Sequence, residues 1–408
     1  MALLRLILCA ALALTLMASG CKDDEFAPQN PPSDAGADGG SGGADGGSSD
    51  SGTVDAGRGD TGTPDAGVDG GLPDGSAAGP GPLQGHVNGL KDLGPLPAGL
   101  DIQWPAAPTI TREIDIDSHA DYAQYFQPPG GAPATAQTRF RFHIGINETV
   151  VVQTSDTELI LDPDVKLLRL LIGQAVHRVR VSGGVFGEIE FSLPWNNGTP
   201  EEGRFATDVV FDGVRVEPEA DQYGLAFAIR AKRVAILNSE TQAKVYSVWV
   251  GGMEPLQSTD IVLANNRFAS VTGSEATVRM HNVLRTVTVH NRLTNGTSSQ
   301  TDSKHNYRIH GIAAENFAAR NLLVHSGVMI GEGGGVPVEQ IGQLWFNDNV
   351  FHQLRPSLYQ MGLSAVQEAQ IRRNHAYTDR HDCFYCPSSS PPGWDLAENT
   401  VGPYTPAP

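Results

Sequence analysis

The chain has 408 residues, with 28 Lys and Arg against 46 Asp and Glu, and its formal net charge is −18. Such an acidic chain without a basic tract is not expected to bind nucleic acid, because that binding needs clustered cations. A serine nucleophile elbow, a P-loop and a dinucleotide fingerprint are also missing, which excludes three large enzyme classes.

The N-terminus has the features of a secretory signal. An apolar run from Leu6 to Met17 leads into Ala-Ser-Gly-Cys, which ends at Cys21, and the run is too short to span a bilayer. The segment resembles the bacterial lipoprotein lipobox, which implies cleavage after residue 20 and a lipid on Cys21. Lys22 after the cysteine implies sorting to the outer membrane or cell surface of a Gram-negative bacterium. A plain cleaved signal is the alternative.

The composition changes abruptly after the signal. Residues 27–80 are rich in Gly, Asp, Ser, Ala and Pro, and they contain nine Asp and one Arg, a net −8 of the total −18. No aromatic residue occurs between Phe26 and Trp104, so this stretch is expected to be a disordered tether without a core. Its Asp residues recur at intervals of five, without the closer spacing and closing Glu of a calcium loop. Calcium is therefore not indicated, and no other cofactor is.

A polar turn residue recurs every 25 to 30 residues through the second half of the chain, after a short run of alternating apolar residues. Strands at this spacing cannot pair through tight hairpins, so they stack in parallel about 4.8 Å apart. This predicts a right-handed parallel β-helix, a single-stranded all-β solenoid with terminal caps. An antiparallel β-sandwich is the alternative, with turns at shorter intervals. The turn residues are Gly184, Gly213, Asn238, Asn266, Asn291, Asn321, Asn349 and Asn374, with one-residue slips in register expected at the last two.

Side-chain alternation suggests which way the strands face. Val287 and Val289 point to one side and Thr288 and His290 to the other, as in a strand with one buried face. Asn is suited to the corners for two reasons. It tolerates the left-handed backbone of a turn, and its side-chain amides can hydrogen-bond from coil to coil.

These patterns divide the chain into five parts. The segment from Ser118 to Phe126, with a Ser or Asp placed to cap it, is predicted to contribute to the N-terminal cap, and Val150–Leu171 is predicted to be the first coil. The predicted parts are a signal peptide at 1–20, the tether at 21–84, the N-terminal cap and lead-in at 85–145, the β-helix at 146–380 and a C-terminal cap at 381–408.

Two cysteines remain near the C-terminus once the signal is removed. Cys383 and Cys386 are separated by two residues, and in an oxidising envelope we expect a local disulfide that clamps the cap. A metal site that adds His381 or His375 to both thiolates is the alternative, although zinc sites normally use a second pair of ligands.

Two Arg-x-His phrases lie one coil apart. Arg279 and His281 are followed 29 residues later by Arg308 and His310. Stacked coils would therefore place Arg beside Arg and His beside His on the outer surface, as a cationic strip. The residues expected to face inward are Val278, Met280, Tyr307 and Ile309.

Neighbouring guanidinium groups repel each other, so the strip calls for a carboxylate. An internal partner such as Glu339, Glu275 or Asp302 would make the strip a structural ion-pair ladder. A ligand would be the uronic acid of an acidic polysaccharide, with Trp249 offering a face to a sugar ring. On this second interpretation Trp249, His281 and Glu339 bind the glycan.

Three phrases in this region resemble the β-helical polysaccharide lyases, in particular the family of chondroitinase B and the alginate lyases, within the pectate-lyase-like superfamily. The phrases 278–282, 290–293 and 307–311 follow the order of that family's Leu-Arg-His-Gly, Asn-x-Phe and Gly-Ile-Arg-Ile. The resemblance implies cleavage by β-elimination, in which one group neutralises the uronate and another removes a proton. The implied catalytic residues are Arg279 or Arg308 for neutralisation, and His310, His281 or Lys304 as the base.

The family's proton-abstracting Lys lies one coil before these phrases, where this chain has Trp249. Two functions therefore remain. The first is an anchored protein that interacts with acidic polysaccharide, with or without cleavage. The second is a non-catalytic structural or adhesive surface module. In either case we expect a monomer that contacts the membrane only through its lipid.

Overall fold

The described chain winds into a parallel β-helix, which confirms the fold predicted from the repeat. A computed structural model describes residues 96–127, 136–218, 224–252, 256–270, 276–296, 305–331, 340–352, 361–363, 366–378 and 393–408. Within these residues all strand pairings are parallel except one short hairpin, Trp195–Asn196 with Thr199–Pro200. No helix among them is long and apolar enough to cross a membrane.

The sequence marked one strand per coil, whereas a complete coil contains three, and these stack into three faces. Face 1 contains Arg112–Ile116, Thr138–Phe142, Thr157–Leu161, His177–Ser182, Ala206–Asp212, Ala231–Leu237, Ser258–Ala264, Val283–Val289, Ile312–Ala319, Gln340–Asn347, Val366–Arg372 and Trp394–Asp395. Face 2 contains Ile146–Val152, Lys166–Ile172, Val185–Phe186, Arg215–Val216, Glu240–Ala243, Arg267–Ser270, Arg292–Asn295, Leu322–Val324, Val350–His352, His375–Tyr377 and Thr400–Gly402. Face 3 contains Ile189–Phe191, Phe227–Ile229, Val248–Gly251, Ala276–His281, His305–His310, Gly327–Ile330 and Met361–Leu363.

The corner between face 1 and face 2 is the constant feature of the repeat. Two residues separate the strands there in every coil from Ser182 onward to His375. The first of the two is left-handed, as at His290 with φ 55°. From Asn266 to Asn374 the second is a buried Asn whose amide bonds the next coil: Asn291 Nδ2 donates to Asn321 Oδ1 at 3.0 Å. The two properties expected of one Asn are thus divided between neighbouring residues.

The asparagine ladder also corrects the expected register. It runs without a slip through Asn349 and Asn374, whose amides bond at 3.0 Å. Gly213, with φ 64°, takes the left-handed position instead of the ladder position, and so does Asn238, with φ 51°. Ser239 occupies the ladder position of that coil, and its backbone N–H donates to Asn266 Oδ1 at 2.8 Å.

The other two corners vary in length. Between face 2 and face 3, Val324 and Gly327 are separated by two residues, whereas nine residues lie between Asn295 and His305. Between face 3 and face 1, one residue follows His310 but nine follow Ile330 before the next strand. The insertions of this repeat therefore fall on both sides of face 3.

In its central coils face 1 is buried on both sides, whereas the alternation predicted a strand with one buried face. Thr286 and Thr288 point into the coil, where Thr286 Oγ1 donates to Asn316 Oδ1 at 2.8 Å. Val287 and Val289 lie on the outer side, in an apolar cluster separate from the interior core. Residues 96–109, which we call the strap, pack over this outer cluster.

The N-terminal end is covered by a helix, as expected for 118–126. The helix spans His119–Phe126, and the Ser118 side chain caps it by accepting from the Asp121 backbone N–H at 3.2 Å. Phe126 packs on Phe140 with ring centroids 4.9 Å apart. Face 1 already begins at Arg112–Ile116, ahead of the predicted first coil.

The C-terminal residues continue the faces and then turn back. Trp394–Asp395 and Thr400–Gly402 pair in register with the preceding coil, inside the segment predicted as a cap. The tail 403–408 then returns along face 2. His352 Nδ1 lies 2.6 Å from the Thr405 carbonyl oxygen, and Arg292 donates to the carbonyl oxygen of Pro408.

Candidate functional site

The structure brings the two Arg-x-His phrases together on the outer side of face 3. Trp249, Arg279 and Arg308 occupy the same register position in three successive coils. His281 and His310 share the position two residues further on. The predicted orientation is confirmed, because the four residues expected inside are buried: Val278, Met280, Tyr307 and Ile309.

Arg279 is held by a phenol and an imidazole. Its Nη1 donates to the Tyr246 hydroxyl oxygen at 2.9 Å, and its Nε donates to His310 Nε2 at 2.9 Å. A guanidinium can only donate, so Nε2 of His310 must be the unprotonated nitrogen. His310 is therefore a neutral imidazole that carries its proton on Nδ1.

The surroundings of His310 are electropositive. Burial and then the charges of His281, Arg279 and Arg308 lower its pKa from 6.5 to about 2. The rings of His281 and His310 are stacked 4.4 Å apart at 12°. Because the lone pair of His310 is already bonded and the ring resists protonation, this geometry gives no support for His310 as a base.

Trp249 lies beneath an arginine that the sequence interpretation did not include. Cζ of Arg230 is 4.5 Å from the centroid of the Trp249 ring. A Cβ on Gly251 would lie 2.4 Å from the ring carbon Cη2 of Trp249, so the glycine leaves room for the indole. One side of the indole that was expected to receive a sugar ring is therefore occupied by a guanidinium.

Arg230 extends the cationic surface by one coil. Burial lowers its pKa to about 10, so it remains charged at neutral pH. The nearest carboxylate oxygen in an ion pair with it is Glu190 Oε1, 3.8 Å from Nη1. We call the group formed by Arg230, Trp249, Arg279, His281, Arg308 and His310 the face-3 strip.

Sequence reasoning missed Arg230 and Tyr246 because both lie just outside their strands, at the corners whose length varies. Arg230 follows Phe227–Ile229, and Tyr246 precedes Val248–Gly251. A fixed period of 25 to 30 residues cannot align such positions. Alternation within the strand could have indicated Arg230, which continues the outward series of Ala228.

Several predicted residues lie outside the described residues: Lys304, Glu339, Glu275, Asp302, Cys21, His381, Cys383 and Cys386. Among the described residues, no three His, Cys, Asp or Glu side chains are grouped as metal ligands. His375 lies with Nδ1 2.6 Å from Thr400 Oγ1 and packs edge-on against Tyr377.

Comparison with solved structures finds distant neighbours. The Dettilon tailspike protein aligns over 69% of this chain and 64% of its own, with 11% identity and a TM-score of 0.39. PfbA, a surface adhesin of Streptococcus pneumoniae, aligns over 76% of this chain and 85% of its own, with 12% identity and a TM-score of 0.34. No protein-family model and no curated protein matches the chain.

Proposed function

We propose that the protein binds an acidic polysaccharide on face 3, through the face-3 strip. The observation that carries the proposal is the repetition of cationic side chains at coil spacing. Arg279 and Arg308 share one register position in successive coils, about 4.8 Å apart along the axis. An extended polyanion lying along this face would meet a guanidinium on each of these two coils.

The electrostatics of the strip favour an anion. The bonds of Arg279 to Tyr246 and His310 fix its orientation, and neither partner carries a negative charge. Arg279 and Arg308 both depress the pKa of His310, which reports a positive potential at that point. A carboxylate or sulfate group accepts charge-assisted hydrogen bonds from a guanidinium, which makes an acidic polymer the best match for this surface.

The architecture favours face 3 over the other two faces. The strap packs on face 1, and the tail 403–408 runs along part of face 2. Corner insertions fall on both sides of face 3, and in repeat proteins insertions commonly mark the binding side.

We propose binding without cleavage as the primary activity. Elimination needs a base near the uronate proton, and His310 is bonded through Nε2 and buried. Retention of a surface polysaccharide also agrees with a lipid-anchored location, which rests on the lipobox resemblance at Cys21.

Titration calorimetry with alginate, polygalacturonate, chondroitin sulfate and neutral dextran tests the proposal. We expect at least one acidic polymer to bind and dextran not to bind. Arg308→Gln should weaken binding about tenfold, the size of one charge-assisted contact. Arg267→Gln removes the same charge from an exposed position on face 2 and should leave affinity unchanged.

Binding of none of the acidic polymers, or equal losses in both variants, would overturn the proposal. Ultraviolet absorbance of the same mixtures detects unsaturated products, and a rising signal would replace binding alone with elimination. Lys304→Ala would then be the first variant to assay.

A further inference from the structure

The strap is bound to face 1 through a regular series of backbone contacts. The backbone N–H groups of Gln103, Ala106 and Thr109 donate to Oδ1 of three aspartates. The acceptors are Asp260 at 3.0 Å, Asp208 at 3.0 Å and Asp156 at 2.8 Å, respectively.

The spacing of the three N–H groups along the strap matches the spacing of the three aspartates along the β-helix. The three aspartates lie on alternate coils, so neighbours are separated by two coil rises, about 9.6 Å. Three residues of extended, polyproline-like chain span about 9.3 Å. Every third N–H of such a chain therefore meets an aspartate, and the side chains of Gln103, Ala106 and Thr109 are exposed.

Each of the three aspartates is held in place by an arginine of the β-helix, independently of the strap. Arg285 binds Asp260 through two hydrogen bonds of 2.7 and 2.9 Å, and Arg233 binds Asp208 through two of 2.7 Å. Arg178 binds Asp156 in the same way. All six residues have φ between 51° and 60°, a left-handed bulge that turns their side chains toward the strap. We call these six residues the aspartate–arginine row.

Beside the row lies an apolar column that fits the strap. Val210, Ala235, Val262 and Val287 share one outward register position. Leu100 and Ile102 pack on this outer cluster and are 8% and 7% exposed. The column continues to Trp345 and becomes polar at Gln370, one coil later, where the outer apolar cluster also ends.

We propose that the outer side of face 1 is a peptide-binding site in its own right. Its ligand is a single extended apolar peptide, recognised by its backbone N–H groups at every third residue, and in this chain the ligand is supplied in cis by residues 96–109. The strap is then a latch that can leave, rather than a part of the β-helix core.

Two features separate the latch from the core. The interior cluster contains none of the strap residues, so the coils are filled without it. Pro105 and Pro108 lack an N–H, and both fall between the three positions that are recognised. They preset the extended conformation and so lower the entropy lost on binding.

The full-length chain tests this with two substitutions in the strap. In Leu100→Asp/Ile102→Asp the cis strap should be expelled, because two carboxylates cannot be buried against the valine column. A fluorescent peptide of residues 96–111 should then bind the variant saturably, as measured by anisotropy, but not the unaltered chain. The same peptide with both Asp substitutions is the matched control and should not bind.

Adding Asp260→Asn to the expelled-strap variant should weaken the peptide about tenfold, because a charged acceptor becomes neutral. Circular dichroism follows the β-helix in each variant. A folded variant that fails to take the peptide overturns the proposal, and so does loss of the β-helix signal, since the strap would then be integral to the fold. Polysaccharide affinity is not involved and should be unchanged.

Discussion

The aspartate–arginine row and the face-3 strip both repeat arginine along the coils, on alternate coils in the row and on successive coils in the strip, but the arginines have different partners. In the row, each Arg is held by two bonds to an Asp, as Arg285 is to Asp260. In the strip, Arg279 donates to a phenol and a neutral imidazole and stands near Arg308. The row pairs each guanidinium with a carboxylate, whereas these two partners of Arg279 are uncharged. Partner chemistry, rather than arginine content, therefore separates a structural ladder from a candidate binding surface.

Breaking the row should have the largest effect on stability. Asp260→Ala leaves Arg285 and the Gln103 N–H without their acceptor in a nearly closed site, where Asp260 is 1% exposed. We expect a loss of about 3 kcal/mol in the free energy of unfolding by urea. Polysaccharide affinity of the folded fraction should be unchanged.

The matched control for that variant is Asp164→Ala, which removes an exposed carboxylate from a turn. It should change stability by less than about 0.5 kcal/mol. Similar losses in both variants would show that the row has no special structural role.

A substitution in the face-3 strip should lower polysaccharide affinity and leave the free energy of unfolding nearly unchanged. Arg279→Gln should reduce polysaccharide affinity about tenfold, or about 1.4 kcal/mol, while the urea midpoint moves only slightly. The remaining amide still reaches a polar neighbour, but the charge is lost. If the midpoint falls as far as in Asp260→Ala and affinity does not change, the strip is a second structural ladder.

Sodium chloride should affect polysaccharide binding and protein stability to different extents. Raising sodium chloride from about 50 to 500 mM should weaken polysaccharide binding several-fold, because the strip acts on an exposed polyanion. The row is bonded at short range and mostly buried, so the urea midpoint should respond much less. Binding that does not depend on salt would contradict an ionic strip.

The smallest expected effect is the pH dependence of stability, because the pKa values of His143 and His310 are shifted in opposite directions. Hydrogen bonds to Asp162 and Asp115 raise the pKa of His143 above 6.5, so its contribution to stability is present below the unfolded pKa and is lost as pH rises through the folded one. The pKa of His310 is lowered, so it opposes folding only as pH falls below 6.5.

The stability difference between the unaltered chain and His143→Gln should therefore be larger at pH 5.5 than at pH 9. Urea midpoints at the two pH values measure it. An equal difference at the two pH values would show that the charged pairings of His143 do not stabilise the fold.

The sequence alone was sufficient to predict the β-helix because the corner between face 1 and face 2 has a constant length. Asn291, Asn321, Asn349 and Asn374 are required at that corner by their side-chain bonds, so the repeat was visible without structure. It also gave the register that aligned Arg279 with Arg308. The other corners vary in length, and Arg230 and Tyr246, which lie beside them, could not be aligned.

The strap was missed for a different reason. Its partners are aspartates on alternate coils, far from residues 96–109 in sequence, and no short motif joins them. One signal was present: strands such as Ile261-Val262-Leu263 are apolar on both sides, which a strand with one solvent-exposed side would not be. That pattern indicates an outer cover, although it cannot say which segment provides it.

Hydrogen–deuterium exchange of the full chain, with and without the acidic polysaccharide that binds, tests the location of the site most directly. We expect slower exchange in peptides that cover 246–252, 276–282 and 305–311, with no change in 206–212 or 258–264. Protection on face 1 or face 2, or uniform protection along the chain, would contradict the assignment of binding to the face-3 strip.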